Sequence, residues 1–390
     1  MKNKYIILKS ECKKVYFQPF VFVAIVVFMI INCINIFRND YQFRKSDYIS
    51  VGRYNMTKLY CGELTDKQIE DISINATQAT AMISKGDYTT DYNPQDYYSG
   101  YAYGDAQLWI ELNERIKKIS DFQEYNSKIV ENTIRYQNSL DNQYLINVNQ
   151  LIEKKYQNRK VSGLYNNDGF ADLFDYHFSS SLLLILLLLG VCSSYTTEKE
   201  NSMTLMLRTC KSGGICTSTF KCIAMVIYSF IINLCFSLCD LFMFFICYRF
   251  NGYTQPIYSI SGYENSPVVS SVLSVIVLCF FMRWLCLCTL GSIVLLLSKI
   301  ANKTYYVFIG SILLLALLMV ASTVGTNLLG NYLNCFNPIN LILPSKHFKE
   351  FNFIKIGNIP LITYTANIIG VFLIFTICTL LNCFDLRRTK

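Results

Sequence analysis

Charge is scarce in this chain. Only 16% of its 390 residues are Asp, Glu, Lys or Arg, and it holds two histidines, two tryptophans and seven prolines. With only His177 and His347 available, a zinc site of the usual His and Cys spacing lacks its ligands. Cysteine is plentiful at 16, yet no CxxC pair occurs. Cys61 and Cys335 fall in outer segments, while most others lie in or beside apolar runs. They read as small apolar fillers, and no disulfide framework is implied. No GxxxxGK[ST] loop occurs anywhere, so the chain has no P-loop for binding ATP. The 28 tyrosines and 27 phenylalanines exclude disorder, and 52% hydrophobic residues with a mean hydropathy of +0.30 argue against an ordinary soluble enzyme.

What is present is long apolar runs. About 20 such residues cross a bilayer core of about 30 Å as a helix. Six stretches qualify: 15–37, 178–195, 222–247, 268–297, 305–324 and 361–384. The first is too long for a signal peptide, and no small-residue cleavage site follows Ile36 and Phe37. The fourth carries Arg283 in its middle and is long enough to be an interfacial helix followed by a crossing. The expected fold is therefore an all-α polytopic membrane protein with six transmembrane helices.

Residues 38–177, between the first two spans, hold no comparable run. Acidic residues outnumber basic ones there by 20 to 16, so the net charge of +8 arises in the membrane part and not in a nucleic-acid-binding domain. Lys and Arg concentrate in residues 1–14, 196–221, 298–304 and 385–390, and are few in the short loops of the opposite side, including 325–360. This asymmetry places both termini in the cytoplasm and residues 38–177 outside, in the plasma membrane. From Gly104 to Lys160 apolar residues recur at steps of three and four, which predicts one or two long amphipathic helices. Asp87 to Tyr103 is turn-rich and dense in tyrosine, so it forms either a recognition patch or packing for those helices.

The second and third spans are joined by Tyr195 to Lys221, YTTEKENSMTLMLRTCKSGGICTSTFK. Thr197 and Glu200 fit a capping box that starts a short amphipathic helix, with Met203, Met206 and Leu207 on one face and Gly213-Gly214 at its end. These residues resemble the type-2 permease subunits of ATP-binding-cassette (ABC) exporters, especially forms from low-GC Gram-positive bacteria with a large domain after the first span. The match is carried by Glu198, Met203, Leu207, Thr209, Lys211, Gly213 and Lys221. Ser202 stands where the family has glycine, and Gly214 where a basic residue is common. Asn337-Pro338 and the closing FDLRR, Phe384 to Arg388, are also similar to the family pattern.

The resemblance implies a transport subunit that is not itself an enzyme. ATP and Mg would sit on a separate ABC ATPase, which docks the coupling segment through Glu198, Glu200, Ser202, Met203, Leu207, Arg208, Lys211 and Gly213. A second permease chain, identical or different, would complete the path for an amphiphilic peptide, lipid or antimicrobial. From the residues themselves, Asp240 and Arg283 lie about 25 Å and 21 Å from the inner ends of consecutive antiparallel spans, and are expected to pair. They either fix the helices or line a substrate path. Two other classes of function remain. One is a membrane sensor with an extracellular ligand-binding domain, although the inner pieces are all short. The other is a membrane enzyme built on Asp172, Asp175 and His177, the only acid-rich group with a histidine.

Overall fold

The computed structural model describes residues 8–13, 19–42, 48–86, 98–99, 102–137, 142–157, 159–161, 163–203, 215–324, 332–343 and 345–384. It is an all-α polytopic membrane protein in which six helices are long and apolar enough to cross a bilayer. In chain order the membrane helices are α1 (Pro19–Ile36), α7 (Phe178–Val191) continued by α8 (Ser193–Glu200), α9 (Ile215–Tyr248), α10 (Val272–Ile300), α11 (Thr304–Val324) and α14 (Thr363–Cys383).

Burial sorts these helices. α7 is enclosed on nearly every side, with Leu183, Leu186, Leu187 and Val191 all at 0% exposure, as its leucine-rich sequence suits. α10 packs against α7, α9, α11 and α14 and forms the spine of the bundle. α1 and α11 keep most of their apolar side chains outside. Ile309, Leu313, Leu317 and Val320 form one exposed stripe at steps of three and four, which suits hydrocarbon. Small residues set the closest approaches. A Cβ at Gly190 of α7 would lie 2.6 Å from Tyr228 Cε1 of α9, whose hydroxyl donates to the Leu186 carbonyl at 2.9 Å.

Between the first two spans lies a helical unit of α2 (Tyr48–Leu59), α3 (Asp66–Lys85), α4 (Ala102–Gln137) and α5 (Gln143–Tyr156). α3 opens with a capping box between Thr65 and Gln68, and closes at Gly86 in the left-handed conformation. A small core of Ile72, Leu112 and Leu164, edged by Tyr60 and Trp109, holds α3 to α4. Tyr98 meets Trp109 edge-on, whereas the remainder of the tyrosine-rich stretch up to Tyr97 lies outside the described residues. α6 (Asp168–Asp175) then leads into α7.

Several boundaries differ from the sequence expectation. α10 is one unbroken helix with Ser271 as its cap, so Arg283 sits within a single crossing and not at a junction. α9 begins at Ile215, seven residues before the expected start, which carries Lys221 inside the helix. The segment 325–360 was expected to be an extracellular loop, with no helix or strand named in it. Its described part instead contains α12 (Ile339–Ile342), α13 (Ser345–Lys349) and strand β1 (Phe353–Ile356), which pairs antiparallel with β2 (Ile359–Ile362). Leu361 therefore belongs to a strand, and the last span starts at Thr363. Gly357, at φ 62, makes the two-residue turn with Asn358.

This loop is clamped to α14 by backbone proximity. A Cβ at Gly370 would lie 2.5 Å from the Cys335 carbonyl oxygen, a group that cannot rotate away. Replacing Gly370 by Ala is expected to cost about 1–3 kcal/mol, read as a lower Tm of the detergent-solubilised chain; an unchanged Tm would contradict that close approach.

Candidate functional site

The segment after the second span was expected to begin a separate helix capped by Thr197 and Glu200. It does not. The helix of span 2 runs on through α8, and Thr197 Oγ1 donates to the Ser193 carbonyl one turn back. Within a continuous helix there is no unpaired amide at Thr197 to cap. Glu200 instead reaches the start of α11, where its Oε1 accepts from Thr304 N at 2.9 Å and from Thr304 Oγ1 at 3.2 Å. An acidic group at a helix N-terminus satisfies free amides and favours the dipole.

The two residues before it bind other helix ends. Lys199 Nζ donates to the carbonyls of Lys299 at 2.7 Å, Ala301 at 2.5 Å and Ser298 at 3.4 Å, closing the C-terminus of α10. Glu198, 5% exposed, accepts from Lys221 Nζ of α9 at 2.8 Å. The same ammonium donates to Glu11 Oε2 at 3.0 Å and to the Ser194 carbonyl at 2.7 Å, and lies 4.9 Å from the Tyr195 ring centre. Lys221 is only 1% exposed, so all three of its donors are consumed by protein. Lys299, beside the carbonyl that Lys199 holds, donates in turn to Asn382 O at 2.8 Å and Phe384 O at 2.6 Å at the end of α14. Three consecutive residues, with Lys221 and Lys299 as relays, thus join residues 8–13, α9, α10, α11 and α14 at one end of the bundle, the basal end.

Ser202 and Met203 complete the exit. Ser202 N bonds to Lys199 O at 3.1 Å and Met203 N to Glu198 O at 2.9 Å, with Ser202 at φ 56. This is a Schellman ending, whose left-handed residue is most often glycine. Met203 is 48% exposed. Leu207, Arg208, Lys211 and Gly213, together with Met206, lie outside the described residues.

In the half of the bundle nearer the α2–α5 unit, the structure brings Asp240 of α9 and Arg283 of α10 to 3.6 Å. Sequence reading missed the third partner, Asn32 of α1, which donates to Asp240 Oδ1 at 2.7 Å. The amide of Asn32 is held by the Tyr176 hydroxyl, donating at 2.8 Å, and Asn35 donates to that hydroxyl at 3.1 Å. A polar Asn-x-x-Asn step in an otherwise apolar span was the available signal. Of the group Asp172, Asp175 and His177, Asp175 pairs with Lys349 at 2.8 Å and its carboxylate also accepts from the Tyr263 hydroxyl at 3.4 Å, while His177 faces a cavity.

The helical unit is fastened to the bundle by Arg159. Its guanidinium donates to the carbonyls of Lys155, Glu264 and Ser266 and lies 3.8 Å from the Tyr156 ring centre. Burial draws the Arg159 pKa below its ordinary value, and the neighbouring Tyr156 and Tyr258 oppose that shift. Burial likewise raises the Tyr156 hydroxyl. The unit is thereby tied to the loop that leads into α10.

Compared with protein-family models, curated proteins and solved structures, the chain has no match. Among the described residues no group of three or more His, Cys, Asp or Glu side chains is placed to hold a metal ion.

Lys221 supplies the test of the basal junction. Lys221→Met leaves Glu11 and Glu198 buried without a counter-charge, and is expected to cost about 3–5 kcal/mol of stability. Adding Glu11→Gln and Glu198→Gln is expected to restore most of the lost Tm. A triple variant no more stable than the single one would show that the carboxylates are not what Lys221 neutralises.

Proposed function

We propose that the chain is the membrane-spanning permease subunit of an ABC exporter, moving an amphiphilic substrate with ATP hydrolysed on a separate subunit. One observation carries this reading. The short segment that follows span 2 is bonded by side chains to α9 and to the facing ends of α10 and α11, and through Lys221 and Lys299 to residues 8–13 and α14, so a push applied there is passed on to the other spans. A channel or a scaffold has no need of such a junction; a subunit driven by an external motor does. The resemblance of Glu198, Met203, Gly213 and Lys221 to the coupling segment of type-2 permeases supports the same assignment.

In this reading residues 201–214 face the cytoplasm and carry the docking contact for the ATPase. The exposed Met203 stands at its root. Closure of the ATPase around ATP and Mg displaces α8, and α9, α10, α11 and α14 tilt with it. A second permease chain completes the path, and the α2–α5 unit stands outside, where cargo is received or released.

The chain, tagged and purified in mild detergent from its own host, is expected to bring down a P-loop ATPase and its ATP hydrolysis. Met203→Asp, a change on an exposed side chain, should abolish both while leaving Tm unchanged. Full recovery of the ATPase with Met203→Asp, or purification of the folded chain without any ATPase, would defeat the reading.

A further inference from the structure

The Asp240–Arg283 pair is lopsided. Asp240 is well supplied, since Asn32 donates to one carboxylate oxygen at 2.7 Å and is itself oriented by Tyr176. Arg283 is not. Its one described contact with an acid is the 3.6 Å approach to Asp240 Oδ2, longer than a hydrogen bond, although a guanidinium carries five N–H donors. Buried polar groups are as a rule hydrogen-bonded, and an arginine inside a hydrocarbon layer more strictly so.

What lies beside Arg283 is space. A cavity of about 190 Å³ is lined by Arg283, Asp240, Tyr176, His177 and Ser237, with apolar residues of α6, α9, α10 and α12 for the rest of its wall. The imidazole of His177 makes no hydrogen bond among the described residues. A volume of that order holds a head group or a ring-sized fragment, not a whole lipid. The cavity does not end in protein: Leu238 and Val277, on its wall, are 57% and 48% exposed on the flank of the bundle, where hydrocarbon would lie.

We infer that this cavity binds an anionic amphiphile, with a carboxylate or phosphate head against Arg283 and a hydrocarbon tail that leaves between Leu238 and Val277. The head supplies the acceptors that Arg283 lacks among the described residues, and a charged oxygen acceptor makes the stronger, bidentate bond that a guanidinium favours. Asp240 remains with Asn32 and keeps the arginine in place. A cationic head would meet Arg283 with repulsion, and an uncharged tail alone would leave the donors unmet. An apolar wall with a few convergent polar groups is the usual build of a small-molecule site. The site gives the transport reading its substrate class, but it does not depend on how the chain is powered.

Native mass spectrometry of the full chain in nonionic detergent, without any ATPase, tests this with three probes: phosphatidylglycerol, oleate and phosphatidylcholine. One equivalent of an acidic probe should be retained, at least about tenfold more tightly than phosphatidylcholine. Retention of phosphatidylglycerol alone supports the site and makes its occupant a bilayer lipid; retention of oleate alone supports it with a single-chain amphiphile as occupant. The double variant Asp240→Asn with Arg283→Gln keeps the buried pair neutral and should lose this preference. Val277→Trp, which fills the mouth without touching a charge, should lose the ligand at unchanged Tm. Equal retention of all three probes, or acidic binding that survives both variants, would overturn the proposal, and neither result bears on whether an ATPase docks at Met203.

Discussion

A lysine with no solvent around it governs the basal end of this molecule. Lys221 sits one and a half turns inside an apolar helix, a placement that is costly unless the charge is met at once. It is met three times, by Glu11, Glu198 and the Ser194 carbonyl. Because Glu198 belongs to the helix that continues span 2, this neutralisation fixes where α8 must lie. From that position Lys199 and Glu200 reach the neighbouring helix ends without further adjustment. Helix ends leave unpaired carbonyls and amides, and here the side chains of one short segment serve those of α10 and α11. The basal end is therefore held by polar bonds of fixed geometry, which do not slide as apolar contacts between membrane helices can.

The rods that leave this junction are stiff. Lys221 and Asp240 share α9 and are 19 residues apart, or about 28 Å along the axis. Arg283 and Lys299 are similarly placed on α10, about 24 Å apart. Each of the two helices thus has one charged group in the basal junction and one in the polar cluster near the other face. In the proposed reading a tilt started at α8 would reach Asp240 and Arg283 through α9 and α10, which supply most of the wall of the cavity beside Arg283. The loop into α10 is gripped by Arg159, so the α2–α5 unit would follow the same movement. The basal junction, the cavity beside Arg283 and the α2–α5 unit are thus connected through two helices.

Much of the fold was legible in the sequence because hydropathy reports directly on membrane helices. Six spans were readable, as were the placement of residues 38–177 between two of them and the pairing of Asp240 with Arg283 from their depth. The long helices of the intervening unit were readable from steps of three and four. α3 was missed although Thr65 and Gln68 give its capping box, and the hairpin 353–362 was missed although Gly357-Asn358 is a two-residue turn signal between alternating residues. The basal junction was less accessible for a different reason. Thr197 and Glu200 have the spacing of a cap, but a cap needs a helix start, and the helix was already running. The true partners of Lys199 and Glu200 are backbone groups at helix ends about a hundred residues away, and the second acid on Lys221 is at position 11. No local pattern encodes such partners.

The central claim is that α8 and the helix ends it holds behave as one body. With 16 cysteines in the chain, labelling is less direct than amide hydrogen exchange on the full protein in lipid nanodiscs. The account predicts that the amides of residues 195–201 and of the last turn of α10, 297–301, exchange through one concerted opening, and that Lys199→Met speeds both segments alike. Independent exchange of the two segments, with 297–301 unaffected by that substitution, would contradict it.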